Sequence, residues 1–287
     1  MTTSTTRTDH AYARRGEEEL LLTVHRDHDV PARAVLLYLH GGGWRGGSRD
    51  SANITSRLLP LLRAGVVVVS ADYRLAPASK YPAQLEDAGD AFEWTAEQFP
   101  GLPVFLSGSS AGGHLVALVG LGAWERLTGR SHRVDPAGVV SYALVSDPIA
   151  YDAERRQAPR PLPGTFARWS FERTGIWPPQ ELGVNLLDGG DVTVSPIVTT
   201  HIGAGSLAVP FLIIVGDRDT CVRPDQSRSL QRALSDRGHD SYLLEIAGGD
   251  HEDAAFDSPL VHGAVRGFID DYSRPADERT PVGFVGM

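Results

Sequence analysis

A short segment rich in glycine and serine lies between two apolar runs, and it restricts the fold more than any other part of the chain. The segment runs from Gly108 to Gly113 with the sequence GSSAGG, after the apolar residues 104–106 and before the apolar residues 115–119. This order predicts a buried strand, a tight strained turn and a helix, because only small residues fit beside such a turn. Ser110 would be exposed at the end of the strand, which makes it a candidate nucleophile. Ordinary strand-to-helix loops also carry this pattern, so the other motifs of the chain have to decide.

Further apolar runs predict the elements around this turn. Strands are predicted at residues 19–24, 34–39, 66–70, 139–145, 211–215 and 242–246. Apolar residues at helical spacing predict helices at residues 51–63, 82–100, 224–237 and around 261–269. Strands that alternate with helices favour the α/β class, with a mostly parallel central sheet and helices on both faces.

The 287 residues suit one large α/β domain or two small ones. We predict a single domain over residues 1–287, with a loose N-terminal arm at 1–16, a small lid or cap insertion at 148–182 and a C-terminal tail at 274–287. The insertion has no clean period and is rich in proline and aromatic residues. Such insertions in compact folds are more often lids or substrate walls than second domains. Disorder is the alternative, although the aromatic residues count against it.

Composition excludes several classes of function. The net charge is −9, from 27 basic and 36 acidic residues, which argues against a nucleic-acid partner or an anionic membrane surface. Cys221 is the only cysteine, so neither an intramolecular disulfide nor a cysteine-based zinc site can form. The first residues lack an apolar core and no apolar run approaches ~18 residues, so we expect no signal peptide, no membrane span and a cytoplasmic protein. The sequence does not exclude a homodimer.

A serine hydroxyl needs a base that accepts its proton and an acid that orients that base. In chains with this kind of turn, the acid and then the histidine follow the serine. The strand that ends at Val215 is followed by two candidate acids, Asp217 and Asp219. Asp219 is the preferred acid because it lies deeper in the loop. Asp217 is the alternative, and it is expected to stabilise the turn or to pair with a nearby arginine.

The candidate base is His251, which follows the last predicted strand through the loop 247–250. This position brings it to the sheet edge that carries Ser110 and Asp219. A histidine on a surface loop with no catalytic role is the alternative. The remaining candidates lack the required order and position together: His114, His201, His239 and His262.

The segment from His40 to Trp44, with the sequence HGGGW, predicts the second half of an oxyanion hole. Consecutive glycines let backbone N–H groups point at one oxygen without interference from a Cβ atom. The expected donors are the N–H groups of Gly42, Gly43 and Ala111, whereas His40 is expected to be a structural hydrogen-bonding residue. A phosphate-binding loop is the alternative, but neither standard glycine pattern for phosphates is present.

Together these motifs resemble the α/β-hydrolase superfamily, and within it the hormone-sensitive-lipase-type esterases and the kynurenine formamidase-like group. The matching segments lie within roughly residues 20–272 and are specific in combination. They are His40–Trp44, Asp72–Pro77, Gly108–Gly113, Ser195–Ile197, Gly216–Asp219 and His251. The resemblance implies that residues 72–74 are scaffold around the oxyanion loop.

The chain departs from these families at several points. Only 39 residues precede His40, which favours a reduced cap of the formamidase-like kind. Ser109 stands where an aspartate or a threonine is more usual, and the segment after His251 is more acidic than usual. These departures concern the substrate and not the mechanism.

The resemblance implies a serine hydrolase that cleaves a carboxylic ester or a related acyl bond, such as a lactone or an aryl formamide, in a small-molecule substrate. Ser110 would attack the carbonyl, His251 would move the proton and Asp219 would orient His251. No metal or cofactor is expected. The aromatic residues Trp44, Trp169, Trp177 and Phe256 are predicted to contact the substrate.

Two alternatives stay open. One is a ligand-binding relative without catalysis, although this chain retains all three residues of the proposed triad. The other is acyl transfer or cyclisation by the same triad in small-molecule biosynthesis.

Overall fold

One mixed sheet organises the computed structural model, which describes residues 4–157, 186–187, 190–203 and 207–279. Within these residues the sheet has eight strands. They are β1 Thr5–Arg15, β2 Glu18–Asp27, β3 Ala34–Leu39, β4 Val66–Ala71, β5 Val104–Ser109, β6 Gly138–Tyr142, β7 Phe211–Gly216 and β8 Ser241–Ile246. Their order across the sheet is β1-β2-β4-β3-β5-β6-β7-β8.

Among the described strands, those from β3 onward pair in parallel, and the pairs β1/β2 and β2/β4 are antiparallel. The prediction of a mostly parallel sheet is therefore confirmed. Because β5 to β8 run in the same direction, their carboxyl ends lie at one edge of the sheet. The loops that follow β5, β7 and β8 meet at this edge.

Helices cover both faces of the sheet. They are α1 Ala83–Gln98, α2 Ala111–Gly120, α3 Ala123–Thr128, α4 Pro148–Gln157, α5 Pro224–Ser235 and α6 Pro259–Tyr272. The sequence of β3 is continuously apolar because both faces of this strand are buried. Val35 and Leu37 belong to the core shared with α1, α2 and α5, whereas Leu36 and Tyr38 belong to the core shared with α6.

The segment predicted as a helix at 51–63 is helical, but not as a regular α-helix. It contains a π-helical turn at Ile54–Leu58 followed by a 3₁₀ helix at Leu59–Ala64. Its apolar side chains still pack on the sheet, as their spacing predicted. The helix ends at Gly65, which has a φ of 75° and continues directly into β4.

The prediction of a loose arm at residues 1–16 is wrong for residues 5–15, which form β1. This strand pairs with β2 through a tight turn in which Gly16 has a φ of 63°. Its sequence is polar because most of β1 is exposed at the sheet edge. Arg15 attaches the end of the strand to α1 through Asp87 and Asp90.

The structure describes the predicted insertion only at its start. Helix α4 follows β6, and the side chain of Gln226 on α5 accepts the N–H groups of Ser146 and Asp147 at the entry to α4. Residues 158–185 lie outside the described residues, as do residues 280–287 of the predicted tail. Before that point, the tail forms a short 3₁₀ helix at Ala276–Glu278. Among the described residues, no helix has both the length and the apolar character that crossing a membrane requires.

Candidate active site

The turn between β5 and α2 has the strained geometry that its sequence predicts. Ser110 adopts φ 51° and ψ −116°, a region that residues with a side chain rarely occupy. Small neighbours are required: a Cβ atom on Gly108 would lie 2.5 Å from the backbone of Gly112, and a Cβ atom on Gly112 would lie 2.1 Å from the carbonyl oxygen of Leu39. The N–H of Ser110 donates to the carbonyl of Tyr142 on β6, which fixes the turn to the sheet.

Asp219 lies in the loop after β7 and contacts the candidate base. Its Oδ2 lies 2.8 Å from Nδ1 of His251, and its Oδ1 accepts the N–H groups of Cys221 at 2.8 Å and Val222 at 2.7 Å. The side chain is fully buried. Both carboxylate oxygens therefore have fixed partners, so the carboxylate can hold the imidazole in one orientation.

Asp217 has a different place in the same loop. Its Oδ1 accepts the N–H of Gly248 at 2.6 Å, and its side chain is exposed. Gly216 and Gly249 also approach each other closely, since a Cβ atom on Gly216 would lie 2.2 Å from the carbonyl oxygen of Gly249. Asp217 thus stabilises the contact between the loops after β7 and β8, whereas the prediction was that it would stabilise its own turn or pair with a nearby arginine.

His251 is almost completely buried in the loop after β8, with 3% of its surface exposed. Because a carboxylate can only accept, Nδ1 is the atom that donates to Asp219. Burial by itself lowers the pKa of His251, but the carboxylate of Asp219, together with Cys221 and Glu252, outweighs burial and the pKa rises to about 10. Asp219 therefore favours the protonated imidazole, which is the form that a general base reaches after it accepts a proton.

The loops that carry Ser110 and His251 meet at Gly41. A Cβ atom on Gly41 would lie 3.3 Å from Cβ of Ser110 and 3.4 Å from Oε1 of Glu252, the residue after His251. The three predicted members of the triad therefore lie on adjoining loops at the carboxyl edge of the sheet.

The glycine loop after β3 is tightly turned. Gly42 and Gly43 have φ values of 121° and 61°, and the carbonyl of Gly42 accepts the N–H groups of Arg45 and Gly46. Ala111 is the first residue of α2, where backbone N–H groups have no partner within the helix. The role of the N–H groups of Gly42, Gly43 and Ala111 as oxyanion donors stays a prediction.

His40 is part of the scaffold beneath this loop. Its Nδ1 bonds to the carbonyl oxygen of Gly41 at 2.8 Å, and its ring stacks on Tyr73 at 4.3 Å between ring centres. The hydroxyl of Tyr73 donates to the carbonyl oxygen of His40. Burial lowers the pKa of His40, so the neutral ring is the favoured form. These contacts agree with the structural role predicted for His40 and for residues 72–74.

The aromatic residues predicted to contact substrate fall into two groups. Trp44 and Phe256 are fully buried; Trp44 packs edge-on against His114, and Phe256 packs against Tyr142. They are core residues and not pocket walls: Trp44 belongs to the core shared with α1 and α2, and Phe256 belongs to the core shared with α6. Trp169 and Trp177 lie outside the described residues.

Sequence reasoning missed Arg57, a buried cation behind the site. Its Nη1 donates to Oγ of Ser109 at 3.0 Å and to Oε2 of Glu252 at 2.9 Å, and its Nε donates to Oδ1 of Asp257 at 2.8 Å. Burial by itself would lower the pKa of Arg57, but Glu252, Tyr38 and Tyr142 together outweigh burial and raise it above the ordinary value. The available signal was an arginine within the apolar spacing of residues 54–62, combined with the unusual acidity after His251.

The parallel sheet, the strained serine turn and the buried acid–histidine pair in this chain order define an α/β hydrolase. A family model described as an alpha/beta hydrolase fold matches residues 36–254. The chain belongs to this family, which confirms the resemblance seen in the motifs.

Several of the matching relatives are named as ester hydrolases. The chain is 32% identical to esterase LipC of Mycobacterium tuberculosis over 280 residues, covering 88% of this chain and 62% of LipC. The chain thus spans less than two thirds of the length of that relative. It is 28% identical to the ethyl acetate hydrolase of Pseudomonas putida, over 82% of this chain and 74% of that protein.

Solved structures have the same fold. Esterase LipW from Mycobacterium marinum superposes with a TM-score of 0.72 at 22% identity, over 94% of this chain and 83% of LipW. An esterase from Pyrobaculum calidifontis gives a TM-score of 0.70 at 23% identity, over 93% of this chain and 84% of that one.

Proposed function

We propose that this protein is a serine hydrolase that cleaves a carboxylic ester or a closely related acyl bond, such as a lactone or an aryl formamide. The buried contact between Asp219 and His251, on loops that adjoin the strained Ser110, carries the proposal. The names of the relatives, an esterase and an ethyl acetate hydrolase, support the same class of substrate.

The first chemical step is attack of the Ser110 hydroxyl on the carbonyl carbon. The hydroxyl proton passes to Nε2 of His251, since Nδ1 is held by Asp219. Asp219 then stabilises the imidazolium by charge and by its hydrogen bond. This is the direction in which Asp219 already shifts the pKa of His251.

The negative charge that develops on the carbonyl oxygen needs donors that are in place beforehand. The N–H of Ala111 suits this role because it directly follows Ser110 and opens α2, where the helix dipole also favours negative charge. Gly42 and Gly43 supply the remaining donors from the loop after β3.

Collapse of the tetrahedral species releases the alcohol, which takes the proton from His251 and leaves an acyl group on Ser110. Water then attacks the acyl-enzyme while His251 acts as a base again. The products are a carboxylic acid and an alcohol, or an amine when the substrate is a formamide.

Ser110→Ala tests the proposal. Turnover of p-nitrophenyl esters of rising chain length, simple lactones and N-formylkynurenine should fall by on the order of 10³–10⁶ in kcat, because the triad acts as a unit. Labelling by a fluorophosphonate should vanish while the circular dichroism spectrum is unchanged. Labelling that persists in the alanine variant would assign the nucleophile to another serine and contradict the proposal. Product analysis with an added alcohol or amine separates hydrolysis from acyl transfer.

A further inference from the structure

The guanidinium of Arg57 lies between the turn that carries Ser110 and the loop that carries His251. The proposed reaction requires these two segments to keep a fixed relative position. It belongs to the π-helical turn at Ile54–Leu58 and has 1% of its surface exposed. One nitrogen, Nη1, donates both to Oγ of Ser109 and to Oε2 of Glu252. Ser109 precedes the nucleophile and Glu252 follows the base, so a single atom of Arg57 joins the neighbours of both.

Glu252 is held in a conformation that needs support. Its φ of 53° lies in the left-handed region, which is unfavourable for a residue with a long side chain. Its Oε2 is bound by Arg57 and by the side-chain amide of Asn53, at 2.7 Å. These contacts come from the chain before β4, so they fix the loop of His251 against the rest of the molecule. Without them the backbone beside His251 can relax.

The charges connect Arg57 with the loop of His251. Ser109 is neutral, and among the described residues the salt bridges of the buried cation go to Glu252 and Asp257, on the histidine side. The rings of Tyr142 and Phe256 lie against the guanidinium, with the centroid of the Tyr142 ring 4.7 Å from its central carbon. A buried cation that loses its carboxylates is strongly unfavourable, and so Arg57 and the histidine loop hold each other in place.

An arginine is required at this position for geometric reasons. Its planar fork offers several donors in fixed directions, and the contacts to Ser109, Glu252 and Asp257 use two of its nitrogens. A lysine carries the same charge on one nitrogen, which cannot reach all three partners in the same geometry.

We propose that Arg57 is a positioning residue, whose guanidinium ties the turn of Ser110 to the loop of His251 and so sets the geometry of proton transfer between them. The inference rests on the proposed serine-hydrolase function.

The test compares four variants: Arg57→Met, Arg57→Lys, Glu252→Gln and Ser109→Ala. For each one, kcat and KM are measured on a short p-nitrophenyl ester, together with the rate of fluorophosphonate labelling and the melting temperature. We expect Arg57→Met to lower kcat by about 10²-fold with little change in KM, since small displacements of reacting groups have losses of this size. Arg57→Lys should recover part of kcat. Glu252→Gln added to Arg57→Met should lower kcat little further, because both changes break the same connection.

Arg15→Met is the matched control. Arg15 also pairs with carboxylates, those of Glu86, Asp87 and Asp90, but these pairs join β1 to α1, and among the described residues none of them involves the turn of Ser110 or the loop of His251. It should lower the melting temperature and leave kcat unchanged. If the Arg57 and Glu252 variants behave like Arg15→Met, with lower stability and kcat within about two-fold of wild type, the inference is overturned. Should Arg57→Met fail to fold, Glu252→Gln and Ser109→Ala decide, since each removes one contact. A wild-type protein with neither turnover nor labelling would overturn the proposed function itself.

Discussion

At the residue scale, two aspartates in one loop differ in what they touch. Asp219 binds the imidazole of His251, whereas Asp217 binds the backbone of Gly248. We expect Asp219→Asn to lower kcat by about 10⁴-fold, because the amide can neither hold the tautomer nor stabilise the imidazolium. Asp217→Asn is the control in the same loop and should retain most of kcat. A larger loss in the Asp217 variant, with both proteins folded, would reverse the assignment of the acid.

The charge of Asp219 also sets a pH dependence. In the proposed mechanism the neutral form of His251 accepts the proton from Ser110, so kcat/KM should rise as His251 loses its own proton. Burial opposes the shift, but Asp219, with Cys221 and Glu252, raises the pKa of His251 from 6.5 to about 10. The acid limb of kcat/KM in the wild type should therefore lie above pH 6.5. Asp219→Asn removes the largest of the contributions that raise this pKa, whereas burial still lowers it, so the limb should move to lower pH. A wild-type limb at or below pH 6.5, or no movement in the variant, would contradict this account.

At the scale of elements, the junction of β5, α2 and β3 is packed backbone to backbone. A Cβ atom on Gly112 would meet the carbonyl oxygen of Leu39 at 2.1 Å, whereas a Cβ atom on Gly263 of α6 would meet nothing within 4 Å. We expect Gly112→Ala to destabilise the protein by at least ~1–3 kcal/mol and to impair activity. Gly263→Ala should stabilise it by ~0.4–1 kcal/mol, because alanine restricts the unfolded chain and favours the helix. Urea denaturation measures the change in the free energy of unfolding of each variant. Changes of the same sign in the two variants would contradict the packing argument.

Elements of this kind were predictable from local patterns. Strands β3 to β7 are buried on both faces, and each contains a run of apolar residues without alternation. GSSAGG contains all the small residues that its turn requires. Strand β1 was not predictable in the same way, because most of this edge strand is exposed and its sequence has no apolar alternation to detect. The salt bridge between Arg57 and Glu252 joins positions 195 residues apart, and no local pattern indicates such a pairing. The position of Trp44 beside a glycine loop agrees equally with a pocket wall and with a core residue. Its burial became evident from the tertiary fold.

At the scale of the whole molecule, the sheet edge that carries the proposed triad also needs a pocket whose walls determine which substrate binds. The burial of Trp44 and Phe256 removes two predicted wall residues from consideration. The predicted insertion remains, and it starts with α4 after β6, at the edge that carries the site. Ligands of open α/β sheets bind outside the carboxyl ends of the strands, so an insertion that starts there is well placed to limit the acyl group.

Trp169→Ala and Trp177→Ala test this assignment. We expect at least one of them to change the ratio of kcat/KM between a short and a long p-nitrophenyl ester, while kcat on the short ester stays close to wild type. A lost apolar contact of ~1–3 kcal/mol corresponds to roughly 10–200-fold in that ratio. Phe211→Leu is a control for general loosening, because Phe211 is a fully buried residue of β7 and should change stability without changing the ratio. If both tryptophan variants fold and the ratio does not move, then the walls belong to other loops at this edge, and the aromatic residues of the insertion only attach it to the body of the protein.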